Sequence, residues 1–391
     1  MILNALLSAP DDDPAGLAML RLSMLDWAAC ALAGRREPSA IAARSLASEA
    51  ALWATAGHAL DYDDTHFDHI GHVTTVVLPA ALSVARDWPT LERATLAGAE
   101  AAIRMGVWLG RGHYAAGFHQ TATAGAFGAT LAAARAMELD TSATANALAL
   151  CASRAAGLKA QFGTDGKPLN AGFAAQAGID CAHLGAAGAT APAEAIESYG
   201  ATHAGQGATP PSGPRFHAVR HKLHACCHGL HAALEAYRSL SPDDLSSIVV
   251  TTHPRWLSVC NQPAPTTGLG AKFSYRHALA LAASGHDTSD PESFSDALTR
   301  DAGVVAMRDR VCVETDDSLA DTAARVNVDG TVAAHDLADP MPLDELSGRI
   351  RSKVGKLVGE ETAGRIGGAV ECGDLQAYCA EVTARLNSES A

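Results

Sequence analysis

The segment TATAGAFGATLAAARAM, from Thr121 to Met137, consists mostly of small residues. Gly125, Ala126, Gly128 and Ala129 have so little side chain that a neighbouring helix can pack closely against this backbone. A glycine inside a helix costs about 1 kcal/mol relative to alanine, so tight packing has to compensate for the two glycines. The segment therefore predicts a helix packed among other helices and, with it, a mainly α fold.

Apolar residues at helical spacing predict further helices on both sides of this segment. The predicted helices are Leu17–Gly34, Pro79–Arg86, Leu91–Leu109, Thr144–Leu158, Ala171–Leu184, Cys226–Leu240 and the tail Leu343–Asn387. Gly34 is expected to cap the first of these helices. Pro79 is placed at the start of its helix, where the missing N–H costs little.

The pattern changes near residue 205. Gln206–Pro214 reads QGATPPSGP, which is typical of a turn-rich linker. Strand signals follow in Ser247–Thr252 and Val311–Glu314, and alternation around Asp329-Gly330 in Arg325–Val332 predicts a hairpin. We therefore expect a large helical domain of residues 1–217 and 342–391, and a smaller mixed domain of residues 218–341.

Composition excludes several classes of partner. The net charge of −14 over 391 residues argues against nucleic acid, although a local basic pocket can still bind a small anion. We expect no apolar run of the roughly 20 residues that span a bilayer, no signal peptide and no membrane partner. Nine scattered cysteines without a CxxC pair favour a reducing cytoplasm over a disulfide scaffold.

The densest polar cluster is Gly57–His72, GHALDYDDTHFDHIGH, with four acids and four histidines. A solvated loop is one interpretation, and an acid–base pocket is another, because histidine titrates near neutral pH. A metal site is a third, and its candidate ligands are Asp61, Asp63, Asp64, His66, His69 and His72. HxxHxxH is not a standard zinc motif, so the acid–base pocket is favoured over the metal.

Three further segments carry candidate functional residues. His119 in FHQT lies next to a predicted helix N-terminus, which favours anions, although a lone histidine can also simply pack there. Lys167 stands in a Gly/Pro loop suited to holding a carboxylate, unless it is only solvated. Lys222 precedes Cys226 and Cys227; a Cys–His nucleophile is conceivable here, and a basic lid over an anionic site is favoured.

Six blocks in register resemble the MmgE/PrpD family. They are HALDYDDTH, His72 with LPAAL, FHQTATAGAFGA, GTDGKPLNAG, KLHACCHGLHAALEA and AKFSYRHALALA, in family order from about Leu22 to the tail. Known members include 2-methylcitrate dehydratase, cis-aconitate decarboxylase and iminodisuccinate epimerase. The resemblance implies a large all-helical domain with a smaller α+β lid domain, a homodimer, a small carboxylate substrate and no metal or organic cofactor.

The resemblance also implies the site residues. The expected catalytic residues are Asp61, His72, His119, Lys167 and Lys222, and the expected substrate-binding residues are Thr65, Thr164, Cys227 and His277. Two departures from the family pattern concern Cys227, where the decarboxylases carry histidine, and His277, where they carry tyrosine; here the tyrosine is Tyr275. The segment between Gly34 and Glu49 is also shorter than in the family.

The step that these enzymes share is loss or gain of a proton next to a carboxylate. It needs a base active near neutral pH and positive charge where oxygen charge develops. We expect a lyase, first of all a 2-methylcitrate dehydratase-like hydro-lyase. An iminodisuccinate epimerase-like isomerase, a cis-aconitate decarboxylase-like enzyme, a catalytically silent family member and a metal hydrolase are the alternatives.

Overall fold

The computed structural model describes residues 2–240 and 246–388, and the predicted mainly α fold is confirmed for them. The helices before residue 205 are α1 (Ile2–Leu7), α2 (Pro14–Gly34), α3 (Pro38–Ala43), α4 (Glu49–His58), α5 (Thr74–Leu82), α6 (Trp88–Ala115), α7 (Gln120–Ala136), α8 (Thr141–Cys151), α9 (Gly166–Ala186) and α10 (Ala195–Thr202). The later helices are α11 (His231–Leu240), α12 (Gly268–Ala271), α13 (Tyr275–Ala283), α14 (Ala302–Arg308), α15 (Leu343–Val358), α16 (Glu360–Cys372), α17 (Leu375–Glu381) and α18 (Thr383–Asn387).

The chain divides into two compact units. The residues up to His221 and those from Ile350 onward form the helical unit, and Lys222–Arg349 form the second unit. The sequence placed these boundaries after residues 217 and 341. In the helical unit, α7 packs most extensively against α6 and α9.

The small residues of α7 have the effect expected of them. A Cβ atom added to Gly128 would lie 2.5 Å from the carbonyl oxygen of Gly98 in α6. A Cβ atom added to Gly178 of α9 would lie 2.5 Å from the Cβ of Ala129. These separations are too short for real contacts, so the glycines are what allows the three helices to pack this closely.

Several predicted helix boundaries are wrong. Helix α5 begins at Thr74 and contains Pro79 in its interior, because its first turn is capped by Asp64, whose Oδ1 accepts from Thr74 N at 3.2 Å. Helix α8 ends at Cys151, and Gly157 beyond it adopts a φ of 152° that a helix cannot include. Helix α9 begins at Gly166, so Lys167 belongs to its first turn instead of a preceding loop. Helix α11 begins at His231 instead of Cys226, after a short 3₁₀ turn.

The second unit contains a four-stranded mixed sheet. Its strands are β1 (Ile248–Thr252), β2 (Val311–Thr315), β3 (Ala323–Val328) and β4 (Thr331–Asp336), in the order β2-β1-β3-β4. Strand β1 pairs in parallel with β2 and antiparallel with β3. The predicted hairpin of β3 and β4 is confirmed, and its turn residues Asp329 and Gly330 have φ of 49° and 93°.

One expectation about membranes needs correction. Helix α2 is 21 residues long and apolar enough to cross a membrane by length and composition. Within its most apolar stretch, 72% of the residues are buried inside the protein. A helix in the core of a protein can pass the same test of length and composition. The burial of α2 indicates that its apolar side chains pack within the helical unit.

Candidate active site

Three parts of the helical unit bring ionisable side chains together. These side chains are His58 at the end of α4, Asp61, Asp63 and His72 in the loop that follows, His119 before α7, and Lys167 in the first turn of α9. The loop lies directly against α7, since a Cβ atom added to Gly71 would be 2.8 Å from Thr121 N. Thr121 Oγ1 accepts from His72 N at 3.0 Å, which fixes His72 beside the start of α7.

Asp63 joins two histidines. Its carboxylate lies 3.0 Å from His58 Nδ1 and 2.9 Å from His72 Nδ1. Burial by itself would raise the pKa of Asp63, but His58 and His72 more than offset this effect and hold that pKa well below its usual value. Asp63 is therefore ionised; it accepts a hydrogen bond from His58 Nδ1, and His72 Nδ1 lies at ion-pair distance from it.

Lys167 and Asp61 complete the network. Lys167 Nζ lies 2.7 Å from Asp61 Oδ1 and 3.2 Å from His58 Nε2. Asp61 Oδ1 also lies 3.2 Å from His72 Nε2. Asp61 has a left-handed backbone with φ of 52°, and its side chain is 32% exposed, so this edge of the network is the one open to solvent.

The hydrogen bonds assign the charges. Burial, the largest effect, lowers the pKa of His58 to about 4, so this ring is neutral at pH 7 and accepts from Lys167 at Nε2. His72 has a carboxylate oxygen within 3.2 Å of each ring nitrogen, and the two carboxylates favour its protonated form. The two carboxylates and the two cations, His72 and Lys167, then balance.

His119 is the third imidazole of the site. Its ring stacks on His58 at 6.0 Å between centroids and meets the edge of Phe162 at 4.9 Å. Burial first, and then the charge of Lys167, lower the pKa of His119 well below its usual value, so it is neutral. Its Nδ1 lies 3.3 Å from Asn170 Nδ2.

Asn170 determines which nitrogen of His119 carries the proton. Asn170 Nδ2 also donates to the carbonyl oxygen of Leu158 at 3.3 Å, which orients the amide with its NH₂ group toward His119. Nδ1 is then the acceptor, and the ring proton is on Nε2. Within residues 2–240 and 246–388, Asn170 is the one side chain that hydrogen-bonds to this ring, and it does so at Nδ1.

Four of these groups offer donor atoms that could hold a metal ion. Ligand atoms of His58, Asp61, Asp63 and His72 lie within 4.8 Å of one another. The ammonium of Lys167 contacts two of the four, Asp61 and His58. A cation bound to this donor set would have to displace Lys167, so the arrangement fits an internal ion-pair network better than a metal centre.

The structure separates the other residues of the histidine cluster from this site. His66 Nε2 bonds to the carbonyl of Arg215 at 3.1 Å, and His69 Nδ1 bonds to the carbonyl of Ala102 at 3.0 Å. Asp64 accepts from Thr74 at the start of α5. The metal interpretation of HxxHxxH is therefore wrong for His66 and His69, which serve the fold instead.

The two predicted threonines lie at the borders of the site. Thr65 pairs through its backbone with Arg220, with N to O separations of 2.8 and 2.7 Å. Thr164 is exposed and bonds through Oγ1 to the carbonyl of Gln161 at 2.8 Å, in the turn that starts α9. Substrate binding by Thr65 and Thr164 stays a prediction.

The remaining predicted residues belong to the second unit. Lys222 is buried and, after burial, His228 and His224, contributes to lowering the pKa of His231. Cys227 N donates to the carbonyl of Lys272 at 2.9 Å. His277 is fully buried near the start of α13, and burial lowers its pKa to about 4. The roles of Lys222, Cys227 and His277 stay predictions.

Sequence reasoning missed His58 and Asn170 and gave Asp63 only a metal role. His58 stands at the start of the quoted cluster, and its spacing of five residues from Asp63 is that of a helix end followed by a tight turn. Asn170 lies three residues after Lys167, so a helix that begins before Lys167 puts both on one face. A prediction that α9 begins before Lys167 would therefore have placed Asn170 beside Lys167 in the site.

An open cavity of about 380 Å³ lies elsewhere in the helical unit. It is lined by Phe67, Asp68, Ile70, Val107, Gly110, Arg111, Thr209, Pro211 and Arg215. None of the six side chains of the network lines it. The chemistry of the side chains, rather than this cavity, identifies the candidate site.

Comparison with known proteins agrees with the sequence blocks. The model of the MmgE/PrpD N-terminal domain matches residues 44–206, and the model of the MmgE/PrpD C-terminal domain matches residues 224–339. No curated protein matches the chain significantly. Residues 44–206 contain the whole network of His58, Asp61, Asp63, His72, His119 and Lys167. With both domain models matched in order, the chain belongs to the MmgE/PrpD family.

Proposed function

We propose that this protein is a cofactor-independent lyase that removes a proton next to a carboxylate of a small di- or tricarboxylate. Its proposed reaction is the dehydration of a 2-methylcitrate-like hydroxy acid. The family is generally enzymatic and of lyase type, which supports the class of reaction. The observation that carries the proposal is a neutral imidazole, His119, stacked on His58 and thus next to the ion-pair network that contains His72 and Lys167.

Lys167 binds the negatively charged carboxylate of the substrate. Its ammonium has three N–H donors, and it is 18% exposed while bonded to Asp61 and His58. A substrate carboxylate can accept from this ammonium at the exposed edge. As the proton leaves the carbon next to that carboxylate, negative charge moves onto its oxygens, where Lys167 stabilises it. Removal of one such donor typically costs about 10²–10³ in rate.

Proton removal is assigned to His119. Proton abstraction at Nε2 needs the tautomer with the ring proton on Nδ1. His119 reaches this tautomer when the Asn170 amide turns, gives up its bond to the Leu158 carbonyl and presents Oδ1 to Nδ1. The C–H bond breaks and its proton goes to Nε2. The electron pair forms the carbon–carbon double bond as the neighbouring C–O bond breaks. The imidazolium of His72 gives a proton to the departing hydroxide, which leaves as water.

Two reasons favour dehydration over decarboxylation as the proposed reaction. A departing hydroxide needs an acid, and the two carboxylates beside His72 favour its protonated form. Cys227 stands where the decarboxylases of the family carry histidine. An epimerisation would use the same pair of groups, one protonated and one not, and it is the second outcome that the experiment distinguishes.

The test is proton NMR of the purified protein in D₂O with EDTA. The panel contains 2-methylcitrate, citrate, cis-aconitate, iminodisuccinate and simpler hydroxy-diacids. The expected result is an alkene product from a hydroxy acid, with deuterium entering the α position. Lys167→Met should reduce the rate about 10²–10³-fold. Lys356→Met, which removes an exposed lysine of α15, is the matched control and should leave it unchanged.

Other results would change the assignment. Inversion without water loss would make the protein an epimerase, and carbon dioxide release would make it a decarboxylase. If no member of the panel exchanges a proton or forms a product, the proposed chemistry is wrong for these substrates. A catalytically silent protein that still binds a carboxylate would then show line broadening of the ligand without turnover.

A further inference from the structure

A buried ion pair lies directly behind the loop of the candidate site. Lys353 of α15 is 1% exposed and Asp26 of α2 is fully buried, and Lys353 Nζ lies 2.5 Å from Asp26 Oδ1. Removing two charges from water is costly, and an apolar pair of similar volume often gives equal or greater stability. A function other than stability would explain why both charges are present.

Lys353 also holds the loop backbone. Its Nζ donates to the carbonyl oxygen of Tyr62 at 2.7 Å and lies 3.7 Å from the centre of the Tyr62 ring. Tyr62 is 1% exposed and stands between Asp61 and Asp63. The ammonium therefore fixes the backbone carbonyl of the residue that lies between the two aspartates of the network.

The contact between Lys353 and the Tyr62 carbonyl matters because of the backbone conformation next to it. Asp61 has a φ of 52°, a conformation that L-residues other than asparagine and aspartate rarely adopt. A small rotation of the Tyr62 peptide would move Asp61 away from Lys167 and Asp63 away from His58. Displacements of about 1 Å in a catalytic group can cost about 10²-fold in rate.

We propose that Lys353 and Asp26 are positioning residues, a buried ion pair that anchors the Tyr62 carbonyl and thereby fixes Asp61 and Asp63 for proton transfer. This inference rests on the proposed function. Asp26 precedes residue 44 and Lys353 follows residue 339, so neither lies in the segments that the family models match. The two residues are 327 positions apart in the sequence, yet they act on one peptide group.

The test removes the pair without leaving a lone buried charge. The double variant Asp26→Leu with Lys353→Met keeps side chains of similar size and is expected to unfold cooperatively. Lys353→Met alone leaves Asp26 buried without its partner and measures the cost of that charge. The matched control is Arg154→Met with Asp180→Leu, which removes an ion pair of 2.6 Å between partly exposed residues.

Two readouts separate positioning from a purely structural role. In the double variant, kcat for the panel substrate should fall about 10- to 100-fold with KM nearly unchanged. Independently of turnover, the imidazole NMR signals of His58 and His72 should move, because both rings lie against the carboxylate of Asp63. The control variant should change neither quantity.

The outcomes distinguish the two proposals. A wild-type kcat in a folded double variant, with unshifted His58 and His72 signals, overturns the positioning role while proton abstraction by the wild type still stands. A wild type without any activity overturns the proposed function. Shifted imidazole signals in the double variant would still support the anchoring of Tyr62 in that case.

Discussion

Replacement of Asp63 by asparagine tests the network at its centre. The carboxylate accepts from His58 Nδ1 at 3.0 Å and lies 2.9 Å from His72 Nδ1, at ion-pair distance. An asparagine of the same shape has one oxygen and one NH₂ group, so it can accept from one ring and faces the other with a donor. One of the two imidazoles must then rotate or lose its Nδ1 proton.

The expected effect follows from these bonds. A hydrogen bond to a charged group contributes about 1.5–3 kcal/mol, and each 1.36 kcal/mol is a factor of ten in rate. Loss of the Asp63 charge beside His58 and His72 should therefore reduce turnover about 10- to 100-fold. Misorientation of His58, which holds Lys167, would add to that loss.

The assay is the rate of deuterium entry into the α position of the panel substrate, measured beside the free energy of unfolding in denaturant. Asp68→Asn is the matched control, because Asp68 is an exposed acid of the same loop. It should leave turnover unchanged. An Asp63→Asn rate within about twofold of the wild type in a folded protein would refute the role given to Asp63, since losing a 1.5 kcal/mol bond already exceeds that factor.

Three further predictions concern a tautomer, the effect of acid and metals. Asn170→Asp places a permanent acceptor beside His119 Nδ1, so the pKa of His119 should rise. The acid limb of the pH profile of kcat/KM should then move to higher pH, and an unmoved limb would contradict control of His119 by Asn170. Burial lowers the pKa of His221 to about 3 from 6.5, so the native state binds fewer protons and its stability falls as pH drops below 6.5. Between pH 7 and 5 this should cost about 2 kcal/mol of unfolding free energy, and His221→Gln should remove that part of the slope in denaturant titrations. Zinc should inhibit by displacing Lys167 and EDTA should not, whereas loss of activity in EDTA with recovery on zinc addition would make the site a metal centre.

The fold could be predicted where local pattern and tertiary packing agree. The small residues of Thr121–Met137 require close helix contacts, and Asp329-Gly330 suits a tight hairpin, so both elements were predictable. Boundaries failed where a distant group decides them. Thr74 starts α5 because Asp64, ten residues away, accepts from its N–H, and no periodicity contains that information.

The grouping of these side chains was predictable in part. Asp61, His72, His119 and Lys167 meet in the helical unit, as a shared site requires. The sequence cannot tell which histidines of a dense cluster face inward. His66 and His69 bond to carbonyl groups more than 30 positions away in the chain, and those contacts turn both rings away from Asp63.

Contacts over long sequence separations also explain what was missed entirely. Lys353 reaches Tyr62 from 291 positions away and carries no signal in its own surroundings. His58 ends a buried helix, where a structural role is the ordinary expectation. Interatomic distances in the structure identified both residues. A buried ionisable side chain needs a partner that is close in space, and that partner can be far away in the sequence.

The most direct measurement compares His119→Gln with the wild type for solvent exchange at the α carbon of a panel substrate. The account predicts that the wild type exchanges this proton with deuterium, and that His119→Gln lowers the rate by about 10²–10⁴-fold, the usual contribution of an acid–base group, while it stays folded. Exchange by His119→Gln at the wild-type rate would contradict the account, because the proton would then be removed by another group.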